Sequence, residues 1–259
     1  MNSAIPILDV RGLNRSFGGL QATKDVSFAV DEGSITALIG PNGAGKTTAF
    51  NLITNLFPAD SGEIYFSGAR IDGLSPLRIA KLGLIRTFQS ARVFPGMTAR
   101  ENLLVGRHRT IHHGLLAQAF WFAAARREEQ NLGARADTLL DLVGLTRFRN
   151  THAIDLPMGA QKLLEVLRAL MAQPRLLLLD EPAAGLNDTE TAELAALLAA
   201  IRDSGITVLV VEHNMSLVMG IADRIVVLDA GCVIANGLPQ EIQRNTNVIQ
   251  AYLGGGEAP

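Results

Sequence analysis

Two short stretches hold residue types able to handle a polyphosphate. The first is "GPNGAGKT" at 40–47, which satisfies G-x-x-x-x-G-K-[ST] at each fixed position. Its glycines free backbone N–H groups to turn inward around an anion, and a helix starting there adds the positive end of its dipole. Lys46 would then reach the β- and γ-phosphates, and the Thr47 hydroxyl would ligate magnesium. The second stretch is "LLLLDEP" at 176–182. Asp180, ending an apolar run, is placed to hold magnesium through water, and Glu181 to polarise an attacking water as general base. Glycine-rich turns are common and acids at strand ends often only face solvent. The two stretches together, in this order, argue for phosphate chemistry.

Such residues need a scaffold. "ITALIG" at 35–40 is a short apolar run followed at once by the glycine loop and a helix-like segment, the context the motif requires. Residues 7–30 alternate like paired strands ("ILDVRGLNRSF", then "DVSFAV"), with a turn at "DEGS", and "SGEIYFSGARIDG" at 61–73 has the form of a hairpin. From about 90 to 170, strand signals fade and Ala, Leu and Arg recur at helical spacing. "RLLLLDE" at 175–181 suits a strand covered on both faces. "TETAELAALLAAIRDSG" is an amphipathic helix stopped at Gly205, and "ITVLVVEH" and "RIVVLDAG" are two further strands. At the C-terminal end, "GLPQEIQRNTNVIQAYLGGGEAP" has the form of a terminal helix with a frayed tail. The pattern is an α/β sheet domain interrupted by a mostly helical insert.

Composition narrows the partners. At 259 residues the chain can bury a substantial core, and its net charge of −2 offers no basic face for nucleic acid. One cysteine, Cys232, cannot form an internal disulfide and fits a reducing compartment. The N-terminus lacks the basic-then-apolar pattern of a signal peptide. The nearest thing to a membrane span, "GLLAQAFWFAAA" at 114–125, is too short. With 48% hydrophobic residues, the chain has either a large core or an apolar face set against a partner.

On these residues the chain resembles the nucleotide-binding subunit of an ABC transporter. "GPNGAGKTT", "RTFQ" at 86–89, a signature region at "LPMGAQK" (156–162), "LLLLDEP" and "VVEH" at 210–213 come in that family's order and spacing. The resemblance implies a P-loop NTPase (RecA-like) core with an antiparallel β subdomain over 5–89 and 171–240. It implies a helical subdomain over 90–170 and a C-terminal helix and tail over 241–259. ATP and Mg2+ would be the cofactors, with Gly40, Pro41, Asn42, Gly43, Ala44, Gly45, Lys46, Thr47 and Thr48 around the phosphates. Gln89 would link the γ-phosphate and magnesium to the membrane subunits, and His213 would contact the γ-phosphate. An aromatic ahead of the loop would stack on adenine. Phe17 is the candidate, and an ordinary strand-end core aromatic is the other reading of it.

A narrower resemblance is carried by "RTFQSARVFPGMTARENLLVG", "LDEPAAGLN", "EHNMSLVMGIADRIVVLDAG" and "ANGLPQEI". It is to the ATP-binding subunit of branched-chain amino acid importers, the kind paired with a second, shorter ATPase. Importers for urea, amides and other small solutes share much of the pattern. The partners implied are a second ATP-binding subunit, two transmembrane permease subunits and, indirectly, a periplasmic solute-binding protein. The implied location is the cytoplasmic face of the inner membrane.

The signature departs from the pattern of the family it resembles. Where L-S-G-G-Q is usual, an ungapped count gives Leu156, Pro157, Met158, Gly159 and Ala160, and a shift by one residue aligns Gly159 and Gln161 better. Either way the serine that binds the γ-phosphate of the other subunit is missing. Pro157 offers neither hydroxyl nor N–H, and Met158 adds a side chain where glycine admits phosphate. Gly159 still allows close approach in trans. One lost charge-assisted hydrogen bond weakens binding by about 1.5–3 kcal/mol. A heterodimer tolerates this best, because the altered signature then completes only the partner's site. Asn187, where Asp is usual, is a second departure.

Two further stretches carry less. "RHRTIHH" at 107–113 invites a metal reading through His108, His112 and His113, yet no cysteine or carboxylate stands beside them, and it reads as a solvated helix end or loop. "LLAQAFWF" at 115–122 suits either a docking surface for a membrane subunit or packing inside the helical insert. Two rival functions are a soluble ABC ATPase acting on ribosomes or DNA, and a regulatory subunit that binds nucleotide without hydrolysing it.

Overall fold

The computed structural model describes residues 5–87, 93–106 and 122–253. The chain divides into two compact units: residues 1–89 with 174–184 and 194–259, and residues 90–173 with 185–193.

The first unit carries two sheets. In one, β1 (Leu8–Phe17) pairs antiparallel with β2 (Leu20–Val30) and with β4 (Ser61–Phe66), which turns back into β5 (Ala69–Arg70). β2 begins five residues ahead of the expected "DVSFAV". The β1–β2 register shifts three times between Val10 and Ser16, which lets the ribbon run on through polar residues. The other sheet has the order β10-β9-β3-β8-β7-β6. Here β3 (Ile35–Ile39) lies parallel between β8 (Thr207–Val211) and β9 (Arg224–Asp229), and β7 (Leu176–Asp180) lies parallel between β8 and β6 (Leu84–Arg86). All five residues of β3, β7 and β8 are buried, as their unbroken aliphatic runs require. β10 (Cys232–Gly237) closes one edge antiparallel to β9. Sequence reading missed β6 and β10: one is only three residues long, and the other is too polar and irregular to alternate.

Ile7, Leu13, Phe28, Phe50, Ile53, Phe66, Leu178 and Leu209 belong to one buried cluster of this unit. α1 (Lys46–Ile53) contributes Phe50 and Ile53 to it, so packing anchors the helix that starts at the glycine loop. The expected single terminal helix is two: α8 (Pro239–Gln243) and α9 (Thr246–Leu253). The break falls at Asn245, whose Oδ1 accepts from the N–H groups of Asn247 and Val248 at 2.9 and 3.4 Å, a side-chain cap that starts α9 afresh.

The second unit is helical among its described residues: α3 (Ala99–Val105), α4 (Phe122–Leu142), α5 (Met158–Met171) and the start of α6 (Asp188–Asp203). Leu163, Leu167, Leu170 and Met171 recur at i, i+4, i+7 and i+8 on α5 and are buried, as are Leu103 of α3 and Ala136 and Leu140 of α4. Thr98 starts α3 with a capping box: its Oγ1 accepts from Glu101 N at 3.2 Å, and Glu101 Oε2 accepts from Thr98 N at 2.8 Å. In the first unit, α2 (Pro76–Lys81) precedes β6 and α7 (Met215–Ile221) follows β8.

Candidate nucleotide site

The loop joining β3 to α1 turns on glycines that no other residue can replace without strain. Gly40 and Gly45 have φ of 151° and 98°. A Cβ at Gly40 would lie 2.0 Å from Leu228 O, and one at Gly45 would lie 2.4 Å from Ala22 O. Both obstacles are backbone, so neither can move aside. Gly45 caps α1 without any side-chain acceptor, and the first turn of α1 holds no acid. Its leading N–H groups are therefore left for an external anion.

Lys46, only 8% exposed, donates its Nζ to Gly40 O at 2.7 Å and Pro41 O at 2.9 Å. Burial holds its ammonium below the ordinary lysine pKa, while the charges of Glu181 and then Asp180 oppose that shift. The amine thus waits on neutral carbonyls it can trade for a better acceptor.

Asp180 ends β7 at 1% exposure. Its Oδ2 accepts from Arg86 Nη2 at 2.8 Å, while Oδ1 is buried with no hydrogen-bond partner. Arg86 is itself fixed by Asn51 Oδ1 at 2.6 Å and lies over the Phe50 ring, 5.6 Å from its centroid. Sequence reading passed over Arg86, although an arginine ending the apolar strand "LIR" is a signal. Glu181 adopts φ 48°, in the left-handed region that disfavours a side chain, and its N–H donates to Val211 O at 2.9 Å. Glu212, wholly buried, was also missed. Its carboxylate accepts from Ala183 N at 2.7 Å, His213 N at 3.1 Å and Asn214 N at 3.3 Å, tying the turn after Asp180–Glu181 to the end of β8.

A cavity of about 460 Å³ brings together Asn42, Gly43, Ala44, Gly45, Lys46, Thr47, Thr48 and Glu181 with Phe17 and Ala22. Phe17 is 44% exposed, not a core aromatic, and stands edge-on to Phe57 at 5.4 Å with Arg15 above it. A larger cavity of about 610 Å³ borders Pro41 and Asn42 on the side of α9, but lacks the lysine, the carboxylate and the ring. The smaller one fits a nucleoside polyphosphate. Gly40, Pro41 and Asp180 are outside its lining, as is His213, which is exposed just past the end of β8. Gln89 lies outside the described residues, as do residues 107–121 with the three histidines and most of "LLAQAFWF".

Gly159 belongs to the second unit. It is the second residue of α5, whose cap is Pro157 with no side-chain acceptor. Its N–H donates to Glu190 Oε1 at 3.2 Å. Gln161 Nε2 donates to Leu156 O at 2.8 Å and Ile154 O at 3.2 Å, so that side chain secures the loop before α5. Asn187 caps α6: its Oδ1 accepts from Glu190 N at 3.0 Å.

A family profile described as "ABC transporter" matches residues 23–184, and another described as "Branched-chain amino acid ATP-binding cassette transporter" matches residues 232–258. The chain belongs to the ABC transporter ATP-binding family. Among its relatives, the high-affinity branched-chain amino acid transport ATP-binding protein BraF of Pseudomonas aeruginosa is 48% identical over 96% of this chain and 98% of its own. The ADP conformation of MJ1267, an ATP-binding cassette of an ABC transporter, superposes with a TM-score of 0.84 at 31% identity, over 97% of this chain and all of that one. The dimeric post-hydrolysis state of the cassette MJ0796 bound to ADP and Pi gives 0.72 at 26% identity, over 90% and 98%. This cassette is thus an ATPase with a mixed α/β fold and a helical unit. Among its described residues no helix is long and apolar enough to cross a membrane.

Proposed function

We propose that this cassette binds MgATP in the 460 Å³ cavity and hydrolyses it to energise an importer for branched-chain or other small amino acids. The observation that carries the reading is the convergence of the glycine loop, Lys46, Glu181 and an exposed aromatic on that one cavity. The cargo follows from the name of the relative and from the match at 232–258.

In this reading Lys46 exchanges its two carbonyl partners for β- and γ-phosphate oxygens, and the open start of α1 receives the same anion. Phe17 stacks on the base. The unpaired Oδ1 of Asp180 suits a hard cation, since it is a buried carboxylate oxygen with no protein partner. Asp180, Thr47 and Gln89 would hold Mg2+, which when bound would neutralise charge developing on the phosphates. Glu181 takes a proton from the attacking water, with Gln89 orienting that water and His213 reaching the γ-phosphate.

The machine is a pair of cassettes closing on ATP, each phosphate loop facing the other subunit's signature, mounted under two permease subunits at the cytoplasmic face of the membrane. A solute-binding protein delivers the cargo on the far side. With this signature at the partner's site and an intact loop at its own, the pair is a heterodimer of paralogues.

Affinity purification from native membranes should recover a second ATP-binding subunit and two membrane proteins with this chain. In that complex Glu181→Gln should lower turnover about 10²–10⁴-fold with ATP still bound. Recovery with ribosomes, DNA or only itself would overturn the importer reading, and full turnover in Glu181→Gln would overturn the assignment of the base.

A further inference from the structure

The start of α5 is already occupied by an anion of the chain's own. Glu190 Oε1 accepts from Gly159 N at 3.2 Å, and Oε2 accepts from Asn187 N at 3.1 Å, so the carboxylate sits between two backbone donors from separate segments. A Cβ at Gly159 would lie 2.6 Å from Oε1, 2.7 Å from Cδ and 2.8 Å from Cγ of Glu190. The glycine thus has a role inside the chain: it admits this glutamate. Pro157 supplies no side-chain cap, and the first turn of α5 holds no acid. Glu190 therefore does for the Gly159 N–H, at the second position of α5, what an N-cap side chain or an N-terminal acid does elsewhere.

Resting on the proposed pairing of cassettes, we infer that Glu190 is an internal competitor for the γ-phosphate of ATP held by the partner subunit. The missing serine removes an attraction for that phosphate, and the seated carboxylate adds a repulsion. ATP on the partner reaches Gly159 N–H only when Glu190 withdraws, so this half of the shared site closes more weakly than its sequence signature alone implies. Glu190 sets the affinity of closure and is not a catalytic residue.

Glu190→Gln separates charge from structure, because glutamine keeps the length and an acceptor for Gly159 N–H. With hydrolysis blocked at both sites, by Glu181→Gln in this chain and by the matching substitution of the base in the second ATP-binding subunit recovered from the membrane complex, MgATP is titrated into the two together. Association is followed by analytical ultracentrifugation at low and high salt. The expected result is half-maximal association at about 10-fold lower ATP in Glu190→Gln, a gain that shrinks as salt rises. ATP binding to this chain's own cavity, measured on the isolated subunit, stays as it was.

Unchanged or weaker association in Glu190→Gln, with its urea midpoint intact, overturns the inference and leaves the pairing standing. If that midpoint falls, Glu190→Asp serves instead: it keeps the charge but draws it back from Gly159, and it too must tighten association or the inference fails. No ATP-driven association in the parent chain would overturn the pairing and the inference with it.

Discussion

α1 and α5 both start without a side-chain cap, and they resolve that deficit in opposite ways. α1 begins at Gly45 with open N–H groups and a lysine held on two carbonyls, ready for a foreign anion. α5 begins at Pro157 and is closed by Glu190 from 31 residues away. α3 shows the ordinary solution, with Thr98 and Glu101 capping each other locally. A helix start left open deep in a fold costs stability unless something fills it. At α1 the filler, in the proposed function, is the ligand. At α5 it is the chain itself, so one start is open to an outside anion and the other already holds one of its own.

The open start depends on the buried acid beside it, and there the largest change in stability is expected. Arg86→Met would leave the Asp180 carboxylate, 1% exposed, without its cation. Breaking such a pair from one side costs about 3–5 kcal/mol. Urea unfolding should show the loss, and adding Asp180→Asn to Arg86→Met should restore most of it. Loss without restoration would mean that Arg86 matters for its packing on Phe50 rather than for its charge.

Glycine substitutions sharpen the contrast between the two starts. At Gly45 a methyl meets the Ala22 carbonyl at 2.4 Å with φ at 98°. Overpacking of 1–3 kcal/mol and a left-handed alanine of 1–2 kcal/mol together make Gly45→Ala cost about 2–5 kcal/mol. At Gly159 the methyl meets the end of a glutamate that can swing away. Gly159→Ala should therefore cost only about 1 kcal/mol, the worth of the hydrogen bond it displaces. Equal costs in urea unfolding would mean that Glu190 is held as firmly as backbone, and the distinction drawn between the two starts would fail.

What the sequence disclosed and what it withheld follow the same divide. The glycine loop, β3, β7 and β8 were legible because their signals are local: a fixed motif and unbroken aliphatic runs bounded by turn residues. Arg86, Glu212 and Glu190 were not, because the contacts that set them apart, to Asp180, Ala183 and Gly159, reach 94, 29 and 31 residues along the chain. No period or motif pairs an arginine with an aspartate on another strand. Gly159 was read as a place for phosphate alone, since nothing in "LPMGAQK" points to a glutamate beyond the next strand. β10 hid for another reason: "CVIANG" gains its strand from pairing with β9, against a weak preference of its own.

The smallest effect bears most directly on the two starts. Pro157→Ser would give α5 the cap that its family carries, and a serine N-cap is worth about 1 kcal/mol where the donors are free. With Glu190 in place the donor at Gly159 is already satisfied. The serine then gains nothing, and losing the proline restraint should cost about 0.4–1 kcal/mol. In a Glu190→Ala background the donors are free, and the same serine should recover about 1 kcal/mol. Urea unfolding of the two single variants, the double variant and the parent gives the coupling directly, because the residues share one seat. A serine that stabilises both backgrounds equally would show the seat to be empty in solution, and α5 would then belong with α1.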